Sequence, residues 1–272
     1  MNKIYSIILC LFIFCSAFSQ PNLFLKTELN VPVLTHNQNS QMAISIDSDY
    51  FNAIKEVNPC DLTIDLPFFN NTSLNLYLES FAPYTNDFQL LRSVESGLIY
   101  DEYLPDIKSY RIKNSNGWTG SISFMRHYLV GVLKKDGQVY ELKYINNNLY
   151  VLFDVNKSIA ESTFSCQTIE DVSMTLNNST QPVQSLGGAE CLEMGIEIDY
   201  YTYSQFNNNC YDAVEWALAL LAGVNEVYMS ELNDIVTLQA RYINVWEIVD
   251  NYDDLNDCGD MLDEMPNYWT NP

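Results

Sequence analysis

Two periodicities divide this sequence, and the change from one to the other limits what it can fold into. From Leu62 to Phe153 apolar residues tend to alternate with polar ones in short runs. Examples are Leu62-Thr63-Ile64-Asp65-Leu66, Leu74-Asn75-Leu76-Tyr77-Leu78 and Tyr110-Arg111-Ile112-Lys113. A period of two sends successive side chains to opposite faces, the pattern of a half-buried strand. Asn70-Asn71, Asn116-Gly117, Asp136-Gly137 and Asn146-Asn147-Asn148 punctuate the runs as turn signals. Asp136-Gly137 stands between Val130-Gly131-Val132-Leu133 and Val139-Tyr140-Glu141-Leu142. Both residues tolerate positive φ, so a tight hairpin is expected there. The region is expected to form an antiparallel sheet, either a small barrel or a sandwich.

After Gly188 the pattern changes class. Cys191 to Tyr203 reads as a strand with Met194, Ile196, Ile198 and Tyr200 on one face and Glu197 and Asp199 on the other. Asn207-Asn208-Asn209 offers a helix N-cap. Cys210, Val214, Ala217, Leu221, Val224 and Tyr228 then recur at helical spacing, and Ala213, Trp216 and Leu220 widen the stripe. Val236, Leu238, Ala240 and Tyr242 alternate once more, so the order is strand, helix, strand, a βαβ unit. Between the two regions lies a polar stretch with Asn177-Asn178-Ser179-Thr180-Gln181-Pro182 and Gly187-Gly188. The expected division is a signal over 1–19, a loosely held polar lead-in over 20–59 and a β-rich domain over 60–156. A linker over 157–189 and an incomplete α/β unit over 190–272 follow. The fold class is α+β overall. The C-terminal unit has one helix and two strands, too little to cover both its faces and its strand edges.

Lys3, the apolar run Ile7 to Phe14 and the small-x-small triplet Ala17-Phe18-Ser19 read as a secretory signal cleaved between Ser19 and Gln20. No later stretch reaches the ~20 apolar residues of a membrane span. A formal charge of −22 excludes a nucleic-acid partner, whose phosphates need a basic footprint. An exported, acidic chain is the expectation. Cys10 and Cys15 leave with the signal. Cys60, Cys166, Cys191, Cys210 and Cys258 remain as disulfide candidates, an odd number for an oxidising compartment.

Residues from about Cys191 to Trp269 resemble the start of the catalytic domain of the reprolysin (adamalysin) family of metzincin zinc proteases. The likeness rests on Ile196-Glu197-Ile198-Asp199-Tyr200-Tyr201, on the helix around Ala213-Val214-Glu215-Trp216 and on Leu232-Asn233-Asp234-Ile235 leading to Val245-Trp246-Glu247-Ile248. An acidic loop then leads to Met261-Leu262-Asp263-Glu264-Met265. Upstream, Leu62 to Phe69 and the stretches Gly117 to Ser123 and Leu149 to Phe153 are similar to that family's secreted pro-segment. The resemblance implies a zinc metalloendopeptidase precursor: an antiparallel pro-segment domain followed by the first βαβ part of an α/β protease domain. Its partner would be a peptide or protein substrate, its cofactor zinc, and its chemistry peptide-bond hydrolysis by zinc-bound water.

The chain departs from that family where the chemistry would lie. The motif H-E-x-x-H-x-x-G-x-x-H supplies three histidine ligands and a general-base glutamate. Here there are only His36 and His127, neither with a glutamate or second histidine at ligand spacing. No catalytic or metal residue is therefore assigned, and the chain as given is expected to be inactive. Cys166 is the candidate for a pro-segment thiolate that occupies the zinc of the complete protease; the competing reading is a disulfide to Cys60 or Cys191. The acidic residues Asp250, Asp253, Asp254, Asp257, Asp260, Asp263 and Glu264 suggest calcium. However, the loop from Asp254 has Cys258 at its fifth position and Met265 at its twelfth, where a calcium loop needs oxygen ligands. A reading from another class is a secreted, non-catalytic binding or protease-inhibitory module.

Overall fold

The computed structural model describes residues 22–28, 30–113, 115–159, 190–232 and 234–250. It is mixed α+β with mostly antiparallel strands. Nine strands form one antiparallel sheet: β1 (Phe24–Lys26), β2 (Gln41–Ile46), β3 (Asp61–Phe68), β4 (Thr72–Phe81), β7 (Lys108–Lys113), β8 (Thr119–Phe124), β9 (Leu129–Lys135), β10 (Gln138–Asn146) and β11 (Leu149–Asp154). Their order is β1-β2-β11-β10-β9-β8-β7-β4-β3. The sheet curls so that Phe24, Ile44, Ile64, Leu76, Tyr110, Ile122, Leu133, Leu142 and Leu152, one from each strand, share one buried core. At its edges Lys26 Nζ of β1 donates to Asn71 Oδ1, just beyond β3, at 2.6 Å. The result is a barrel closed by packing, with no ladder between β1 and β3 among the described residues.

Alternation explains these strands. Asp136 (φ 50°) and Gly137 (φ 77°) make the expected turn between β9 and β10, and Asn70, Asn71, Asn116, Asn147 and Asn148 also take positive φ at the other expected turns. Gly120 has φ 132°, and a Cβ there would sit 2.0 Å from the Val132 carbonyl oxygen, so β8 approaches β9 only with glycine at this place. One end of the barrel is filled by Phe68, Phe69, Trp118 and Tyr140, whose rings meet at 4.8–5.8 Å. The other end is capped by helix α1 (Ser48–Val57), which sets Phe51 against Phe124.

Helix α1, with β1 and β2, lies in the segment expected to be a loose lead-in. That expectation is corrected: Phe24, Ile44, Ile46, Phe51 and Ile54 are buried in the barrel core. A few core residues suffice because the polar ones bond locally. Asp47 caps α1 by accepting from Tyr50 N, and Gln41 Oε1 accepts from the N–H groups of Leu34 and Thr35.

A second sheet has the order β12-β13-β5-β6, from β12 (Glu190–Ile198), β13 (Val236–Trp246), β5 (Tyr84–Val94) and β6 (Gly97–Asp101). β12 and β13 are parallel and joined through helix α3 (Cys210–Glu231), the expected βαβ unit, with Asn209 as N-cap. Two of the four strands come from the region read as one β-rich domain. β5 runs parallel to β13, pairing Tyr242 with Gln89 through Trp246 with Ser93, and β6 folds back on β5. The sheet expected to lack cover is thus widened by β5 and β6. α3 fills the space between it and the outer wall of the barrel at β7, β8 and β9.

Two local expectations also change. The strand from Cys191 stops at Ile198. Asp199 then accepts from Thr202 N and caps a short helix α2 (Tyr200–Ser204), so Tyr200 does not continue the alternation. On α3 the expected stripe is only partly buried: Leu220, Val224 and Tyr228 are exposed, while Glu215, Leu218, Ala219, Ala222 and Asn225 are buried. A helix between two layers buries two faces, and a single-stripe reading finds only one.

Candidate functional site at the seam between the barrel and the βαβ unit

The seam is built from small side chains and buried charge. On β7 and β8, Ser109, Ser121 and Ser123 alternate with Tyr110, Ile122 and Phe124 and so point out of the barrel, yet all three serines are buried. Ser109 and Ser123 bond to each other at 2.9 Å. Small hydroxyls let the Ala-rich face of α3 approach closely. A Cβ placed on Gly223 would lie 3.9 Å from Ser121 Oγ, an ordinary contact.

Glu215 lies mid-helix and is completely buried. Tyr103 Oη donates to its Oε1 at 2.7 Å, and Arg126 N donates to its Oε2 at 2.6 Å. The Arg126 guanidinium lies 3.7 Å from Oε1 and packs over the rings of Tyr103 and Tyr211, which stack at 4.5 Å. Tyr103 precedes β7 and Arg126 sits between β8 and β9, so these donors come from barrel loops. Burial, and then the bond to Glu215, push the Tyr103 phenol far above its ordinary range, so it stays a donor.

A second lock lies at the sheet. Arg92 of β5 donates to both oxygens of Glu247, just past β13, at 2.5 and 3.0 Å, and to Asp101 of β6 at 3.0 Å. Tyr211 Oη donates to the same Asp101 oxygen at 3.1 Å. A two-pronged guanidinium fixes strand register as well as charge. Ser93 Oγ donates to Asn244 Oδ1 at 3.2 Å, alongside the Glu247 N to Ser93 O ladder bond at 3.0 Å.

The third contact is less satisfied. Arg111 Nε of β7 and Glu226 Oε1 of α3 face each other at 3.7 Å, both buried and neither with a hydrogen-bond partner. Burial pushes the Glu226 carboxyl up to about 7; Arg111 and Lys113 pull it down, while Asp234 and Glu79 add to the rise.

The sequence-predicted residues fall elsewhere. Cys166 and Cys258 lie outside the described residues, as do the signal, the 160–189 part of the linker and the acidic loop beyond Asp250. Cys60 and Cys191 are exposed free thiols, and Cys191 Sγ bonds Gln239 Oε1 at 3.0 Å. Cys210 is a buried free thiol at the first position of α3, pushed up to about 12 by burial first and then by Glu247. Burial keeps it protonated, packed against the second core. His36 precedes β2 and His127 lies in the β8–β9 turn. Among the described residues no three His, Cys, Asp or Glu side chains are grouped to hold a metal ion. Asp250, the first acidic candidate for calcium, instead accepts from Tyr200 N at 2.6 Å.

Sequence reasoning missed the seam residues Arg92, Tyr103, Arg111, Arg126 and Glu226. Glu215 left one trace: a carboxylate between Val214 and Trp216 in an otherwise apolar helical run requires a buried partner. Among the described residues no helix is long and apolar enough to cross a membrane. Against this geometry, no family model and no curated protein matches the chain.

Proposed function

We propose that this chain is the leading part of an exported, metzincin-type zinc metalloendopeptidase precursor. In this reading the barrel is a pro-segment that holds the first βαβ unit of the protease domain. The observation that carries it is the sharing of one sheet and one buried carboxylate. β5 and β6 lie beside β13, and Glu215 of α3 bonds to donors from barrel loops. A pro-segment built this way acts as a folding template: it widens a sheet whose own strands are few and neutralises a charge buried in its central helix.

Hydrolysis in the complete protease would use zinc-bound water. The residues described here do not fit a zinc site, so no catalytic step is assigned to them. Their role is positional. Arg92 fixes strand register, Tyr103 and Arg126 fix the helix, and the buried serines set the helix-to-barrel spacing. The second reading, a secreted module that binds or inhibits a protease, draws on the same lack of a metal-holding group among the described residues.

One experiment separates the readings. Reading the DNA beyond codon 272 in all frames should reveal coding for H-E-x-x-H-x-x-G-x-x-H. Absence of that pattern favours the inhibitory module. The positional role is tested by cutting the purified chain at a protease site engineered between Ile159 and Glu190. The two pieces should co-elute on size exclusion; separation at physiological salt would remove the template role.

A further inference from the structure

Among the described residues strand β12 has a neighbour, β13, on one side only. Its Glu190 N–H turns inward to Ile235 O at 2.7 Å. By strand geometry Leu192 and Met194 also turn toward β13, and the backbone groups of Cys191, Glu193 and Gly195 point away from the sheet. Such an edge is a ready template for another strand.

What flanks this edge gives it a specificity. On the α3 side a cavity of about 380 Å³ runs between Met194, Ile196 and Ile198 of β12 and Trp216, Leu220 and Val224 of α3. Leu192 (53 % exposed) and Leu220 (55 % exposed) continue this apolar surface outward. The opposite face of the same strand carries Glu193 and Glu197. Glu193 shares Arg241 with Asp87, at 2.6 and 3.2 Å, so two carboxylates face one guanidinium here, on a chain whose formal charge is −22. One side of the edge is therefore apolar and the other acidic, at the two-residue period of a strand.

We propose that the open edge of β12 is a strand-addition site for an extended peptide segment of a partner protein whose side chains alternate apolar and basic. Backbone hydrogen bonds hold the segment to β12. Its apolar side chains enter the groove beside α3, and its basic ones lie across from Glu193 and Glu197. A second copy of this chain fits poorly. Pairing β12 with itself about a two-fold axis at Gly195 would set Glu193 against Glu197 of the second copy and join two strongly acidic molecules. The inference rests on this edge as the described residues leave it, and a later segment of the same chain found paired with β12 would overturn it.

The test uses the full chain and a synthetic peptide of nine residues, the length of β12, alternating valine and lysine. Fluorescence anisotropy should give a dissociation constant in the micromolar range. A peptide of the same composition with its lysines in one block should bind roughly tenfold more weakly or worse. N-methylation of the amides on one edge of the peptide should abolish binding, while the same change on the other edge should not. Hydrogen exchange at β12 should slow when the peptide is present. Leu220→Glu, at an exposed position that leaves the fold intact, should weaken binding at least about tenfold. Glu193→Lys with Glu197→Lys should shift the preference to a valine–glutamate peptide. Equal binding of the blocked peptide, or indifference to N-methylation at both edges, would overturn the proposal. So would self-association of the chain with protection of β12, which would place a second copy on the edge.

Discussion

The inside of the barrel and its outer wall under α3 are made from the same strands but by opposite rules. On β8, Ile122 and Phe124 point inward into a core of large apolar side chains, while Ser121 and Ser123 point outward and are equally buried. The interior is held by filled volume, which is non-directional and tolerant of exchange among apolar residues. The seam is held by satisfied polar groups, among them Glu215 with Tyr103 and Arg126, and Arg92 with Glu247 and Asp101. Such groups contribute little net stability while paired, but breaking one leaves a buried charge or donor alone. A barrel core makes a stable body, whereas a polar seam specifies which body docks on it and in what register.

The largest way to break this contrast is Gly120→Ala. Its Cβ would meet the Val132 carbonyl oxygen at 2.0 Å with a φ of 132°, so β8 must leave β9. A loss of about 4 kcal/mol or more is expected, with barrel and seam failing together in thermal denaturation. A variant that melts like the parent would show that β8 and β9 have room to separate.

Glu215→Leu comes next. It removes the acceptor for Tyr103 and for the Arg126 amide and strands the Arg126 charge, at a cost of about 3 kcal/mol. Here the two regions should part: hydrogen exchange should speed up in α3 and β13 while β10 and β11 stay protected. Uniform acceleration across the barrel would mean the seam and the core are a single cooperative unit.

Glu226 sharpens the comparison through pH. Its carboxyl is raised in the folded chain from an ordinary 4.5 to about 7 by burial. The folded state therefore binds this proton more tightly, so its contribution to stability is complete below pH 4.5 and is lost as the pH rises through 7. The seam should weaken by about 3 kcal/mol over that window, the pull of Arg111 being already contained in the raised value. Glu226→Gln should flatten the dependence seen in denaturant titrations at several pH values. An unchanged slope would assign the pH response to other groups.

The smallest effect has the opposite sign. Gly223 sits inside α3, and an added methyl meets only Ser121 Oγ at 3.9 Å. Gly223→Ala should raise the stability of the seam by about 0.5–1 kcal/mol through helix propensity. A loss in chemical denaturation would show that the helix and the serine wall are already at closest approach.

Much of the architecture was legible because it is local. Period-two alternation marked β3, β4, β7, β9 and β10, Asp136-Gly137 marked a hairpin, and Asn209 marked the start of α3. The lead-in was misread because its strands are short and its helix carries only Phe51 and Ile54 into the core, below what a periodicity argument can resolve. Of the seam, only Glu215 left a mark.

The sequence by itself determined the order of the larger elements: an antiparallel β region, a polar stretch, then strand, helix and strand. Each of these follows from spacing between near neighbours, where backbone geometry imposes a fixed period. Only the tertiary structure decided that β5 and β6 leave their neighbours for the second sheet, and that Ser121 and Ser123 face a helix and not water. It also decided that Glu215 is neutralised by Arg126 from 89 residues upstream. Those outcomes depend on which distant surfaces meet. A serine at an outward strand position has the same local pattern whether water or an alanine-rich helix lies over it, and the free energies differ only once the helix has arrived.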